Sequence, residues 1–387
     1  MKNLNALDPQ GGIGRNGGIG RNGGIGRNGG IGRSSDALPL TAGGDPEFSA
    51  CLVAIRGYLT LGLDSPGAPP EYELGQAPWR DMGERYRAES LLAEALSGLR
   101  VEVDAQAQVV SLRYLQALAA EQNNAQQTSQ AKAGKSAPAS TAWEWADLIS
   151  LRRPPRKYFE AQANLVDELL PLRETRLLEV HAQADSALAF LLTAAQLPVH
   201  RMPRTLEFLG SALALQMSLQ MRIKQQLACA RPQLISPRLM PMIDVPSHGS
   251  LPSGHAGESA LIAALLSHLL ASAGAGADIQ LMLRRMALRI AENRVVAGVH
   301  FPVDSLAGRL LGETVADYLL AGVKAIEAPI AVRRFGAAPW GAPQQGIPNE
   351  AGPAHQSPEC SEDGYLRIAP LQDHSKLWSL VMQEWQS

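Results

Sequence analysis

Apolar positions fall into two regimes along this chain. From about residue 155 to 322 they recur every three or four residues in long runs, the spacing of one face of an α-helix. These runs predict helices over 158–170, 175–195, 204–230, 254–273, 279–297 and 302–321. Pro171, Pro198, Pro203, Pro232 and the glycines from Gly274 to Gly276 punctuate them. The last run carries Arg309, Glu313 and Asp317 at four-residue spacing, which reads as one wet face. Before residue 155 the pattern weakens. Residues 51–59 fit a strand or a helix equally, 87–99 read as helix, and 101–104 alternate as a short strand does. Residues 122–141 are rich in Gln, Ala, Ser and Lys with no apolar period, the composition of a linker. Trp143 and Trp145 follow it and read as aromatics that dock the next segment.

Residues 11–34 are tandem copies of Gly-Gly-Ile-Gly-Arg-Asn, ending in Ser34. Each of the first copies contains a literal G-x-G-x-x-G, for example Gly12, Gly14 and Gly17. A dinucleotide loop needs a strand before it and a helix after it, and here there is only more repeat, so the stretch reads as a disordered tail. The expected organisation is a repeat tail (1–45), a poorly specified N-terminal segment (46–121), a linker (122–141), a helical domain (142–330) and a mostly irregular C-terminal tail (331–387). Within that last tail 377–385 reads as a short docked helix. The expected fold class is all-α, a bundle of about six helices.

A net charge of −2 points to neither nucleic acid nor an anionic membrane surface. The cysteines, Cys51, Cys229 and Cys360, are odd in number and widely spaced, which argues against a disulfide framework or a zinc site and for a reducing compartment. The start of the chain has no apolar signal-peptide core, so a cytoplasmic location is expected. Ser259 to Ala277 carries no charge and is nearly long enough to span a bilayer. Its charged neighbours, Arg284, Arg285 and Arg289 among them, make it a central buried helix instead, and the protein is expected not to be integral to a membrane.

Three polar clusters interrupt the Ala- and Leu-rich helices: Lys224 with Arg231-Pro232, Pro252-Ser253-Gly254-His255, and Arg294 with His300 and Asp304. Lys224 and Arg231 lie seven apart, so one helix face can carry both. Ser253-Gly254-His255 opens an apolar run, where backbone N–H groups point at an anion. Glycine at 254 lets the backbone approach closely. Together these residues suit a phosphate-sized tetrahedral anion, with two histidines left for nucleophilic and acid–base work.

Read as Lys-x6-Arg-Pro, Pro-Ser-Gly-His and Arg-x5-His-x3-Asp in that order, the clusters resemble the signature of the type 2 phosphatidic acid phosphatase and vanadium haloperoxidase superfamily. The resemblance covers roughly residues 200–322. Asn293 departs from it, since many members have Ser before the Arg. It implies an all-α bundle and a metal-free phosphatase, with a phosphorylated small molecule or a lipid phosphate as partner and no cofactor. Lys224, Arg231, Ser253, Gly254 and Arg294 would bind phosphate. His300 would be the nucleophile, Asp304 would orient it, and His255 would serve as general acid and then base.

The alternative within the same superfamily is a vanadate-dependent haloperoxidase, with His300 on vanadium and His248 as an extra histidine near the halide site. Short spacers from Arg231 to Ser253 and from His255 to Arg294, and Phe301 after His300, favour the phosphatase. His181, His200, His268, His355 and His374 form no ligand spacing, so no metal site is expected. Homo-oligomerisation stays open.

Overall fold

A computed structural model of the chain describes residue 79 and residues 82–117, 143–336, 340 and 359–386. The Gly-rich repeats, the 51–59 run and the 122–141 stretch lie outside the described residues. In chain order the helices are α1 (Glu84–Ser97), α2 (Arg156–Glu168), α3 (Arg173–Ala194), α4 (Pro203–Leu227), the one-turn α5 (Pro232–Ile235), α6 (Gly254–Ser272), α7 (Ala277–Val296), α8 (Pro302–Gly322) and α9 (Gln372–Gln386). Prolines set several starts: Pro203 opens α4 and Pro302 opens α8, where a missing N–H costs nothing.

The fold is mostly helical but not all-α. A five-stranded sheet runs β1 (Leu99–Asp104), β2 (Val109–Ala117), β3 (Trp143–Arg152), β4 (Ile330–Phe335) and β5 (Cys360–Leu366), in that spatial order. Neighbours are antiparallel except β3 and β4, which are parallel, with Ser150 opposite Arg334. One face of β2 is apolar, through Val110, Leu112 and Tyr114, and joins the main core. The helical expectation missed the sheet because its central pair joins segments about half the chain apart, which no local period reports.

The C-terminal segment also departs from the irregular tail expected for it. It supplies most of β4 and all of β5, while α9 contains the 377–385 stretch expected as a short docked helix. Glu94 of α1 accepts the N–H groups of Asp373 (2.8 Å) and His374 (3.1 Å), capping α9. From α9, Glu384 in turn accepts the N–H groups of Arg204 (2.6 Å) and Thr205 (2.9 Å), capping α4. Trp143 is 58% exposed, so it does not dock, whereas the ring of Trp145 lies under the Arg100 guanidinium at 4.1 Å.

Two helices form the centre. α6 has Glu258 as its one Lys, Arg, Asp or Glu and is buried on nearly all sides; α8 is buried along most of its length. They cross at glycines: a Cβ on Gly308 would meet the Ser253 carbonyl, and one on Gly312 would meet the backbone of Gly257. The polar stripe of α8 is covered, not wet. Arg333 of β4 bonds Asp317 at 2.6 Å and Thr314 Oγ1 at 3.3 Å, and Arg309 is buried. The stripe's charges face a strand that helical periodicity could not place.

Candidate active site

Lys224 sits in the last turn of α4. The helix stops at Leu227, and Ala228 takes the left-handed conformation at φ 46°. Arg231 therefore stands in extended backbone beyond the helix, before Pro232, and not on a shared helical face with Lys224 as the spacing suggested. The two cations converge through the turn instead. Lys224 Nζ donates to the carbonyls of Gly249 (3.1 Å) and Ser250 (3.0 Å). Arg231 Nε donates to His248 O (3.1 Å) and Nη1 to Val299 O (2.8 Å), with Nη1 also 3.4 Å from His300 Nε2. Its Nη2 lies 3.2 Å from His248 Nδ1, so the half-buried His248 stands at the edge of the cluster.

The second cluster is the entry to α6. Ser250 N–H donates to Cys229 O (3.0 Å) and its hydroxyl to Ala230 O (2.9 Å), binding this loop to the end of α4. Ser253 N–H donates to Asp304 O at 2.8 Å. Gly254 is the first helical residue, so the first-turn N–H groups of α6 face out of the helix at this point.

The third cluster spans α7 and α8. Arg294 is in the last turn of α7, and Nη2 donates to Val180 O of α3 at 2.7 Å. Gly298 at φ +75° makes the turn out of α7; a Cβ there would meet the guanidinium of Arg173 and Leu239 O, so glycine is required. His300 follows. Its Nδ1 is 3.2 Å from Asp304 Oδ2, which also accepts the Phe301 N–H at 2.9 Å, while the other oxygen is 3.5 Å from Ser250 Oγ. A carboxylate only accepts, so Nδ1 carries the hydrogen and Nε2 keeps its lone pair.

Four buried polar atoms of this cluster have no protein partner: Ser253 Oγ, His255 Nε2, and Nε and Nη1 of Arg294. The three cations outnumber the two carboxylates whose charge reaches Lys224, Asp304 and Glu258, and all five residues are at most 3% exposed. Buried donors and buried charge are costly unless something pairs with them. A tetrahedral oxyanion is the ligand that matches donors converging from three elements.

Electrostatics sort the groups. Burial, reinforced by Arg231 and Lys224, holds His300 well below the ordinary histidine range. Burial, then Arg294, does the same for His255, whose ring faces the backbone carbonyl of Gln183. Both are neutral in the free site. Burial lowers Arg231 and Arg294 to about 10, which leaves them cationic at neutral pH. It pushes Lys224 down and Asp304 up, and their mutual attraction opposes both shifts. Burial, followed by Lys224, lowers His248 to about 4.

All nine residues singled out in the sequence thus gather here. Others escaped notice. α3 contributes the carbonyls of Val180 and Gln183, and Gln162 of α2 accepts the Val303 N–H at 2.9 Å, bracing the start of α8. Asn293 is fully buried. Its amide donates to Glu179 and Gln183 (2.8 Å each) and its oxygen accepts from Arg176 (3.0 Å), tying α7 to α3 beside Arg294. Its departure from the family pattern was the available signal. His374 meets Glu94 at 2.8 Å, far from this site in sequence and part of the α9 cap.

Among the described residues no helix is long and apolar enough to cross a membrane, and no three His, Cys, Asp or Glu side chains group as metal ligands. No curated protein matches the sequence. Residues 206–326, the stretch that carries all three clusters, match the family model of the PAP2 superfamily, the family whose signature those clusters resemble.

Proposed function

We propose that the protein hydrolyses a phosphomonoester through a phosphohistidine on His300. The observation that carries this is the buried set of unpartnered donors, with its surplus of positive charge, next to a histidine whose Nε2 bears its lone pair and faces Arg231 Nη1 at 3.4 Å. Lys224, Arg231, Arg294, Ser253 and the N–H groups at Gly254 take the equatorial oxygens, where charge sits in phosphoryl transfer. His300 Nε2 attacks phosphorus and the ester P–O bond breaks. His255, protonated once the phosphate's negative charge is beside it, gives its proton to the leaving oxygen. Water then attacks the phosphohistidine, its proton passes to His255, the P–N bond breaks and inorganic phosphate departs.

The test is phosphate release from soluble phosphomonoesters and lipid phosphates. Orthovanadate is expected to inhibit competitively as a mimic of the pentacoordinate state, and EDTA to have no effect. Activity lost to EDTA and restored by a divalent metal overturns the mechanism.

His248 beside Arg231 favours one second reading, vanadate-dependent halide oxidation. The same donors would hold vanadate, with His300 as its ligand, and vanadate would supply the peroxide chemistry. Halide oxidation with peroxide, present only after vanadate loading, would select it.

A further inference from the structure

Glu258 is a buried carboxylate to which the proposed chemistry gives no task. It lies one turn past Gly254 and is 1% exposed. The carboxylate faces α4, where Gln220 Nε2 donates to Oε1 at 2.6 Å. Gln220 is one turn before Lys224, and Gln216, with Nε2 3.5 Å from Gln220 Oε1, is one turn earlier still. Gln216, Gln220 and Lys224 therefore form one buried polar stripe on an otherwise apolar helix face, and Glu258 is laid against it.

Asp304 is the nearer candidate for a counter-charge to Lys224, but it is engaged by Phe301 N–H, His300 Nδ1 and Ser250 Oγ. The acceptors that Lys224 does bond, Gly249 O and Ser250 O, are neutral. A buried ammonium held only by carbonyls, with Arg231 close by, tends to shed its proton.

We infer that Glu258 is a positioning residue for Lys224: its carboxylate, steadied by Gln220, is the fixed counter-charge that keeps the ammonium protonated when no phosphate is bound. The catalytic role of Lys224 rests on the phosphatase reading; the pairing of the two side chains does not. The groups around Lys224 agree with it. Arg231 opposes the charge, the histidines His248, His255 and His300 surround it, and Asp304, Glu258 and Cys229 favour it. Without Glu258, Asp304 alone among the carboxylates offsets burial and Arg231.

The experiment uses the full chain with Glu258→Gln, which keeps an acceptor for Gln220 and deletes the charge, and Glu258→Asp, which keeps the charge. Hydrolysis of p-nitrophenyl phosphate is followed between about pH 5 and about pH 9. In E258Q the alkaline limb of kcat/KM moves to lower pH by about one unit, a roughly tenfold loss at the alkaline end with little change at the acid end. E258D keeps the wild-type limb. Thermal melts of E258Q, K224M and the double variant give a second readout that needs no activity. The double variant is expected to lose less than the sum of the singles, because removing both charges strands neither.

An unmoved limb in folded E258Q, an equal loss at every pH, or an E258D that behaves as E258Q overturns the inference, as do additive melts. If E258Q is too unstable to assay, a double variant melting above E258Q supports the pairing and one melting no higher overturns it. A wild-type protein that hydrolyses no phosphate ester sinks the phosphatase reading alone, and the melts still decide whether Glu258 and Lys224 are coupled.

Discussion

The backbone N–H of Ser253 donates to the carbonyl of Asp304 at 2.8 Å, so the loop that enters α6 and the carboxylate residue beside His300 share one main-chain bond. That bond exists because α6 and α8 approach to backbone contact one turn further on, at Gly308. Gly308→Ala would set a methyl against Ser253 O and within 3.2 Å of Gly257 N. Alanine favours a helix, by up to ~1 kcal/mol over glycine, but overpacking against rigid backbone costs about 1–3 kcal/mol. Both Gly308→Ala and Gly312→Ala should lower Tm, and G308A should also lower kcat by shifting Ser253. A G308A protein with wild-type Tm would show that the crossing is slack.

The two site arginines should fail differently. Arg294→Ala removes a guanidinium with two unpartnered nitrogens and orphans one carbonyl, that of Val180, so it should cost about 3–4 kcal/mol of transition-state stabilisation and less folding stability than the loss of Arg231. Arg231→Ala orphans the carbonyls of Val299 and His248, so it should lose activity and also about 1–3 kcal/mol of stability. Kinetics with denaturant melts separates them; equal stability losses would contradict the bonding pattern.

The two histidines should differ by leaving group. His300→Ala should abolish turnover and any acid-labile phosphoenzyme. His255→Ala should harm alkyl phosphates far more than activated aryl phosphates, whose leaving groups need no proton. With an aryl substrate the phosphohistidine should accumulate after a burst, since its hydrolysis lacks a base. Equal losses on every substrate with nothing trapped would show that the roles are misassigned.

Stability should fall with acid. His255 and His300 have depressed folded pKa values, so as pH drops below about 6.5 the unfolded chain binds protons that the folded chain does not. Each contributes a slope of at most about 1.4 kcal/mol per pH unit from there down to its depressed folded value. Asp304, shifted upward by burial, acts in the opposite sense, so the comparison is with variants. His255→Asn and His300→Asn should lose less stability than wild type between about pH 7 and about pH 5.5 in denaturant melts. Parallel losses in all three proteins would mean that these rings are not buried as neutral groups.

The long helices were legible because their causes are local. Apolar period, proline starts and glycine stops place α2, α3, α6, α7 and α8 within about two residues of the expected bounds. The nine candidate residues could be singled out because residue type and spacing mark them; the structure brings them together, and their roles are the proposal above. What spacing could not show is the approach of remote segments. Arg333 over Asp317, Glu258 against Gln220, and the α3 carbonyls at Arg294 and His255 all depend on packing between elements far apart in the chain. The end of α4 is the local exception. Ala228 turns left-handed where the apolar run continues, so the helix stops three residues before the bound the sequence suggested.

The parallel pairing of β3 with β4 has a consequence for biosynthesis. When α8 leaves the ribosome, the strand that covers its polar stripe has not yet emerged, and β3 has no partner on that edge. Asp317 lacks its bond from Arg333 at that stage, and α6 and α8 meet as a half-clad nascent chain. Only after β4, β5 and α9 emerge can the sheet close over α8 and the Glu384 cap reach α4. Contacts of such long sequence separation form late and slowly. Assembly of the candidate anion site is therefore expected to wait for α9, although every residue in it is synthesised well before that helix.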